Sequence, residues 1–309
     1  MFLQTLVTGL SIGGIYALMA VGYSLVFSVL SFSNFAHGAV IMLGAYMGLG
    51  LAAKLNLGLG LVLSGAIAGA GVLAVLNERL AYRALRQRRA PSLYLMISAM
   101  GCAVFLENMV YATIGAKPYP FPDKITNQVL DIVRNIISFL GLAAEHSVIE
   151  IAGITLSLLD LAAFVISLLS IYALHIFIMK TRMGIAIRAG VDDLTMCSLM
   201  GVNTNRLIAV VFFLAGAFAG LAGVYLGIKY YVQPTMGSIT NKAYIAAVIG
   251  GLGSLPGAFI GGLILGVLET FVSAYISSVW RDVYTFTLLI ALLIWLPNGL
   301  LGHETEEKV

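Results

Sequence analysis

Of 309 residues only 10% are charged and 60% are hydrophobic, the net charge is +3 and the mean hydropathy is +1.00. Soluble domains carry about 25% charged residues, so this composition excludes an ordinary soluble enzyme and points to several membrane spans. So small a net charge also argues against nucleic acid as a partner.

In chain order, stretches apolar enough for a spanning helix of about 20 residues recur at 5–28, 38–54, 58–77, 92–115, 155–178 and 207–228, then in a composite segment 243–276 and at 284–301. The pattern predicts an all-α membrane protein of about eight transmembrane helices. The opening "MFLQTLVTGL" lacks the basic region and cleavage site of a signal peptide and reads as the first span. The 34 glycines would weaken soluble helices. In a membrane they let helices approach closely, or mark breaks along a cavity.

The first break falls near 31–38, in "SFSNFAHGAV". Asn34 and His37, with Gly38 behind them, offer directional hydrogen bonds without fixed charge. Such residues either satisfy backbone groups freed by the break or line a path for a neutral or zwitterionic solute. Beyond it, "ERLAYRALRQRRAPS" holds Arg79, Arg83, Arg86, Arg88 and Arg89, and 180–206 adds Lys180, Arg182, Arg188 and Arg206. These nine of the 17 basic residues put both segments in the cytoplasm. The N-terminus and segment 116–154 then lie outside, with an amphipathic piece at 129–140 on the outer surface, and the tail "GHETEEKV" lies inside.

Three acids stand in apolar surroundings: Glu107, Asp160 and Glu269. Ionisable groups inside a membrane are functional candidates by default. Glu107 is a candidate for the solute path or a subunit contact, Asp160 suits a helix start, and Glu269 reads as high enough to reach water. In the loop after Lys180, Asp192 reads as an N-cap, Asp193 as a first-turn residue and Gly201 as a stop, enclosing a short helix with Leu194, Cys197 and Met196 or Met200 on one side. So short an apolar helix calls for a groove on a partner. In the composite segment "GGLGSLPG" makes a second break, near 250–257, through Gly250, Gly251, Gly253, Ser254 and Pro256. Discontinuous helices of this kind mark transport paths.

No catalytic constellation stands out. The four histidines are too scattered to hold a metal, and Lys180–Thr181 follows Met179 where a phosphate-binding loop requires glycine.

The stretches "NFAHGAVIMLGAY", "RMGIAIRAGVDDLTMCSLMGVNTNR", "AVIGGLGSLPGAFIGGLILG" and "PNGLLGHETEEKV" together resemble the LivH-type permeases of bacterial branched-chain amino-acid ABC importers, from end to end of the chain. The resemblance implies a single permease domain over 1–309 in the inner membrane and no enzymatic activity of its own. It implies a LivM-like second permease, two ATPase subunits that use ATP and Mg, and a periplasmic binding protein carrying leucine, isoleucine or valine. It makes 193–200 a cytoplasmic coupling helix, with Arg188, Asp192, Asp193, Leu194, Met196, Cys197, Met200 and Gly201 meeting an ATPase. The wider importer signature, an acid followed by two alanines, is absent; Leu194 and Thr195 stand there. Urea, amides or other neutral amino acids as cargo, or a proton-coupled carrier working alone, are the competing readings.

Overall fold

Helices fill most of the chain because its seven prolines are kept out of helix interiors. The computed structural model describes residues 2–139, 148–151 and 154–302. The helices are α1 (Phe2–Leu30), α2 (His37–Ala53), α3 (Leu59–Asn77), continued through a π-helical turn (Glu78–Tyr82) into α4 (Arg83–Gln87), α5 (Ser92–Thr113) and α6 (Asp123–Phe139). A hairpin of β1 (Val148–Ile151) and β2 (Ile154–Ser157) leads into α7 (Leu158–Lys180), α8 (Arg182–Asp192), α9 (Leu194–Leu199) and α10 (Thr204–Lys229). A 3-10 turn (Pro234–Ile239) precedes α11 (Thr240–Gly250), α12 (Leu255–Tyr275) and α13 (Arg281–Trp295).

Among the described residues six helices are long and apolar enough to cross a membrane: α1, the α3–α4 continuation, α5, α7, α10 and α12. The stretch at 38–54 forms a helix of the expected 17 residues, too short to count among these six, and 284–301 forms a shorter helix than expected. α13 stops at Trp295 because Pro297 disfavours helical backbone in the residue before it. Two further differences concern connections. The amphipathic piece near 129–140 is a longer helix that starts at Asp123, just after Pro122, and the all-α pattern is interrupted by the β1–β2 hairpin, whose strands are rich in β-branched residues. The polar tail beyond Gly302 lies outside the described residues.

α1 runs through the middle, with α12, α10, α7 and α11 around it, and α10 packs in turn on α2 and α3. Lipid tails are as apolar as leucine, so close backbone packing rather than hydrophobic exclusion holds such helices together. A Cβ added at Gly13 would lie 2.8 Å from the Cα of Leu263 on α12, and one at Gly44 only 2.7 Å from the Cα of Gly220 on α10.

The bundle has two chemically distinct ends. At one, Arg86 Nη2 donates to Asn205 Oδ1 at 2.6 Å, joining the two arginine-rich segments. Beside them, Glu78 is fully buried and paired with Arg83 at 2.7 Å and Arg86 at 3.1 Å. At the other end Tyr119 and Val232 exchange backbone hydrogen bonds of 2.9 Å, Gln128 accepts from the Leu59 N–H at 2.7 Å, and Phe2 packs on Phe271. The start of α1 is therefore at the end away from the arginines.

Gly44→Ala is expected to destabilise the protein by about 1–3 kcal/mol through overpacking. Gly50→Ala, on the same helix but with nothing within 4 Å of the added carbon, should be stabilising by about 0.4–1 kcal/mol. Thermal unfolding in detergent, followed by size-exclusion chromatography, checks the pair.

Candidate functional site: the helix breaks, an outer cavity and a short exposed helix

α1 ends at Leu30, where Ser31 takes φ +50°, and the chain stays non-helical until His37. Part of the freed polarity is satisfied within the break and part by Tyr82. Asn34 Oδ1 accepts from the Ala36 N–H at 3.2 Å and from the Tyr82 hydroxyl at 3.0 Å, and the His37 N–H donates to the Asn34 carbonyl at 3.1 Å. The His37 ring is 2% exposed, edge-on to Tyr23, and its Nε2 has no hydrogen-bond partner among the described residues. Gly22 makes room for it, since a Cβ there would lie 3.1 Å from His37 Cε1 and 3.2 Å from the Ala215 carbonyl, near the midpoint of α10. A side chain at Gly38 would run into Thr240 Oγ1 and the Gly237 carbonyl. The first turn of α2 is thus seated on the first turn of α11, well inside the bundle.

The second break follows α11. Gly251 at φ +107° and Gly253 at φ +87° adopt backbone that only glycine takes without strain. Ser254 caps α12 by accepting from the Gly257 N–H at 3.2 Å, with Pro256 in the first turn. The chain returns after α13 to close this break: the N–H groups of Leu300 and Leu301 donate to the carbonyls of Ile249 at 3.0 Å and Gly250 at 2.9 Å. Ser24 reaches the Ser254 carbonyl at 3.4 Å, so the break rests on the last turns of α1. Tyr244 on α11 touches both Tyr23 and Phe35, linking the two breaks.

Glu107 stands apart from this group. It is half-buried on α5, the least buried of the long helices, and has no hydrogen-bond or ion-pair partner among the described residues. Asp160, near the start of α7, pairs with Lys229. The expectation that Glu269 reaches water is corrected: it is 3% exposed and encircled by donors. The Tyr16 hydroxyl donates to it at 2.8 Å, Lys242 Nζ lies 2.8 Å away, and Thr285 Oγ1 lies 3.3 Å away. Lys242 also sits over the Tyr16 ring and 3.5 Å from Asp282. Lys242, Asp282 and Thr285 border a cavity of about 400 Å³ at the end of the bundle away from the arginines, walled by the turn before α11 and by α13. Lys242, Asp282, Tyr16 and Thr285 went unrecognised in the sequence, although a lone Lys and a lone Glu in two apolar runs are a signal for pairing.

At the arginine-rich end, α8 and α9 form one capped unit. Asp193, not Asp192, is the N-cap: its carboxylate accepts from the N–H groups of Thr195 at 2.6 Å and Met196 at 3.1 Å, while Asp192 is the last residue of α8. Gly201 at φ +83° closes α9 in a Schellman turn, with Val202 N–H bonded to the Cys197 carbonyl and Gly201 N–H to that of Ser198. Cys197 is buried and Leu194 half-buried, so the inward face is not the methionine face. Met196 at 59%, Leu199 at 77% and Met200 at 86% exposure point outward, and Arg188 on α8 is exposed too, its guanidinium 3.3 Å from Met179 Sδ.

Lys242→Met leaves Glu269 buried and unpaired, which should cost about 3–5 kcal/mol, and adding Glu269→Gln should recover at least half of the loss. Thermal unfolding of the two variants beside the parent checks this.

Residues 5–294 match the family model described as branched-chain amino acid transport system, permease component. The chain is 39% identical to the high-affinity branched-chain amino acid transport system permease protein LivH of Escherichia coli K12, and equally to LivH of Salmonella typhimurium, over 100% of its own length and 98% of theirs. It is 36% identical, with the same coverage, to the corresponding permease protein BraD of Pseudomonas aeruginosa. With its long apolar helices, interrupted twice, and similarity over its whole length, this multi-pass membrane chain belongs to the branched-chain amino acid transport system permease family.

Proposed function

We propose that this chain is one of two permeases in an ATP-driven importer of the bacterial inner membrane, moving leucine, isoleucine or valine into the cytoplasm. Its partners in this reading are a LivM-like permease, two ATPase subunits that use ATP and Mg, and a periplasmic binding protein that delivers the amino acid. The observation that carries the reading is end-to-end similarity, 39% over the entire chain, to permeases named for that transport.

The arginine-rich end is the cytoplasmic one. The Arg86–Asn205 bond keeps both basic segments together, and basic residues near span ends stay inside. The N-terminus and α6 are then periplasmic and the C-terminus cytoplasmic. Both breaks are discontinuous or re-entrant elements within a single permease domain, and the passage runs past Asn34, His37 and Gly38 and past the break from Gly250 to Pro256. An amide, an imidazole and glycine backbone let a zwitterion slide without a trap, as conduction through successive weak sites requires.

α9 is the coupling helix. Its outward Met196, Leu199 and Met200 give an adaptable apolar surface for an ATPase groove, and its caps keep a six-residue helix formed while nothing is bound. Closure of the ATPase pair would push α8 and α9 together and rock the two permeases between outward and inward states.

Two measurements test this. Met196→Glu with Met200→Glu should reduce co-purification of the ATPases at least tenfold while leaving the thermal stability of the permease unchanged, because both side chains are exposed. Co-purification at the parent level would exclude α9 as the docking element. His37→Leu should slow leucine uptake by proteoliposomes several-fold with the complex still assembled, and loss of assembly would instead make this break purely structural.

A further inference from the structure

The outer cavity holds more charge than a passage for an uncharged chain segment needs. Around its wall are Lys242, Asp282 and, just beneath, Glu269. Buried ion pairs contribute little to stability compared with apolar packing, so charges inside a membrane bundle point to function.

The three groups differ in how firmly they are held. Glu269 is saturated, with Tyr16, Lys242 and Thr285 all within 3.3 Å. It fixes the position of the ammonium group. Lys242 keeps its other hydrogens directed at longer contacts, 3.4 Å to Tyr16 Oη and 3.5 Å to Asp282 Oδ1. The Asp282 side chain is 69% exposed, and so loose, solvated a pair is worth little. A cation held from behind thus faces a carboxylate across a gap that a small dipolar molecule can enter. Asn241 lies beside Lys242 in the first turn of α11 and brings an amide donor to the same wall. The rest of the wall is mixed: Leu226, Met236, Ile245 and Phe286 give it an apolar patch, beside polar Gln233, Thr235 and Ser238. The volume of about 400 Å³ is in the range of small-molecule clefts, about 300–1,000 Å³.

We propose that this cavity is an entry subsite for a free aliphatic amino acid. Its carboxylate takes Lys242 and Asn241, its ammonium takes Asp282, and its side chain lies on the apolar patch. The Lys242–Asp282 contact opens to admit it and closes behind it, while Glu269 holds Lys242 in place. The proposal rests on the importer reading above, since the cavity is at the end assigned to the periplasm and the binding protein would release cargo there.

The test uses the whole complex, both permeases with the ATPases, in proteoliposomes supplied with the binding protein and leucine. If the parent complex imports no leucine, the importer reading fails, independently of this subsite. With an importing parent, Asp282→Asn should lower the leucine moved per ATP hydrolysed about tenfold. An unchanged ratio overturns the subsite. As a second measurement, Asn241→Cys in a chain carrying Cys102→Ser and Cys197→Ser should react with a membrane-impermeant thiol reagent. Millimolar leucine should slow that reaction at least threefold, whereas isocaproate, which lacks the ammonium, and leucinamide, which lacks the carboxylate, should not. Equal protection by all three compounds, or by none, overturns the assignment.

Discussion

Backbone-to-backbone packing around α1 is the constraint on which the rest of the molecule depends. A helix in the middle of a membrane bundle gains nothing from leaving lipid for other apolar side chains, so it must gain from contact density. Glycine gives that density by removing the Cβ where two helices cross, at Gly13 against α12 and at Gly44 against Gly220. The cost of glycine in a helix, about 1 kcal/mol, is offset by contacts that any larger residue would forbid. Peripheral helices such as α5 and α7 bury far fewer of their residues than α1 does and leave large apolar side chains exposed, as suits lipid or another subunit.

Because the centre is so tightly held, polar groups where the chain stops being helical find partners on distant elements, with His37 Nε2 the exception. At the first break a single amide, Asn34, serves two donors from two different elements. At the second, the C-terminal segment supplies N–H groups to carbonyls that α11 leaves open. Each break thus ties distant parts of the chain together: Tyr82 to the α1–α2 link, and Leu300 and Leu301 to the α11–α12 link.

The two ends carry opposite chemical instructions. One gathers arginines, a buried Glu78 and a capped helix showing methionine and leucine to the outside. The other opens a cavity with a cation held firmly by one carboxylate and loosely by another. In the importer reading proposed above, the first end would dock an ATPase and the second would admit the cargo.

Hydropathy and residue type determined a good deal by themselves. Length and apolar content set the long helices, glycine and proline marked 250–257, a polar island marked 31–38, and clustered arginines set the orientation reading. Gly201 announced a helix end because so few residues tolerate positive φ. Neighbouring acids were harder. Asp192 and Asp193 are equivalent by type, and only the turn between α8 and α9 chose Asp193 as the cap. Glu107 and Glu269 looked alike as lone acids in apolar runs, yet one lies on a peripheral helix and the other sits at the centre of a hydrogen-bonded network. That distinction belongs to tertiary structure, because a charge in a membrane is defined by its partner. The partners of Glu269 are 253 residues before it, 27 before it and 16 after it. No local pattern encodes such separations; the α11–α12 hairpin, folded against α1, brings them within hydrogen-bonding distance.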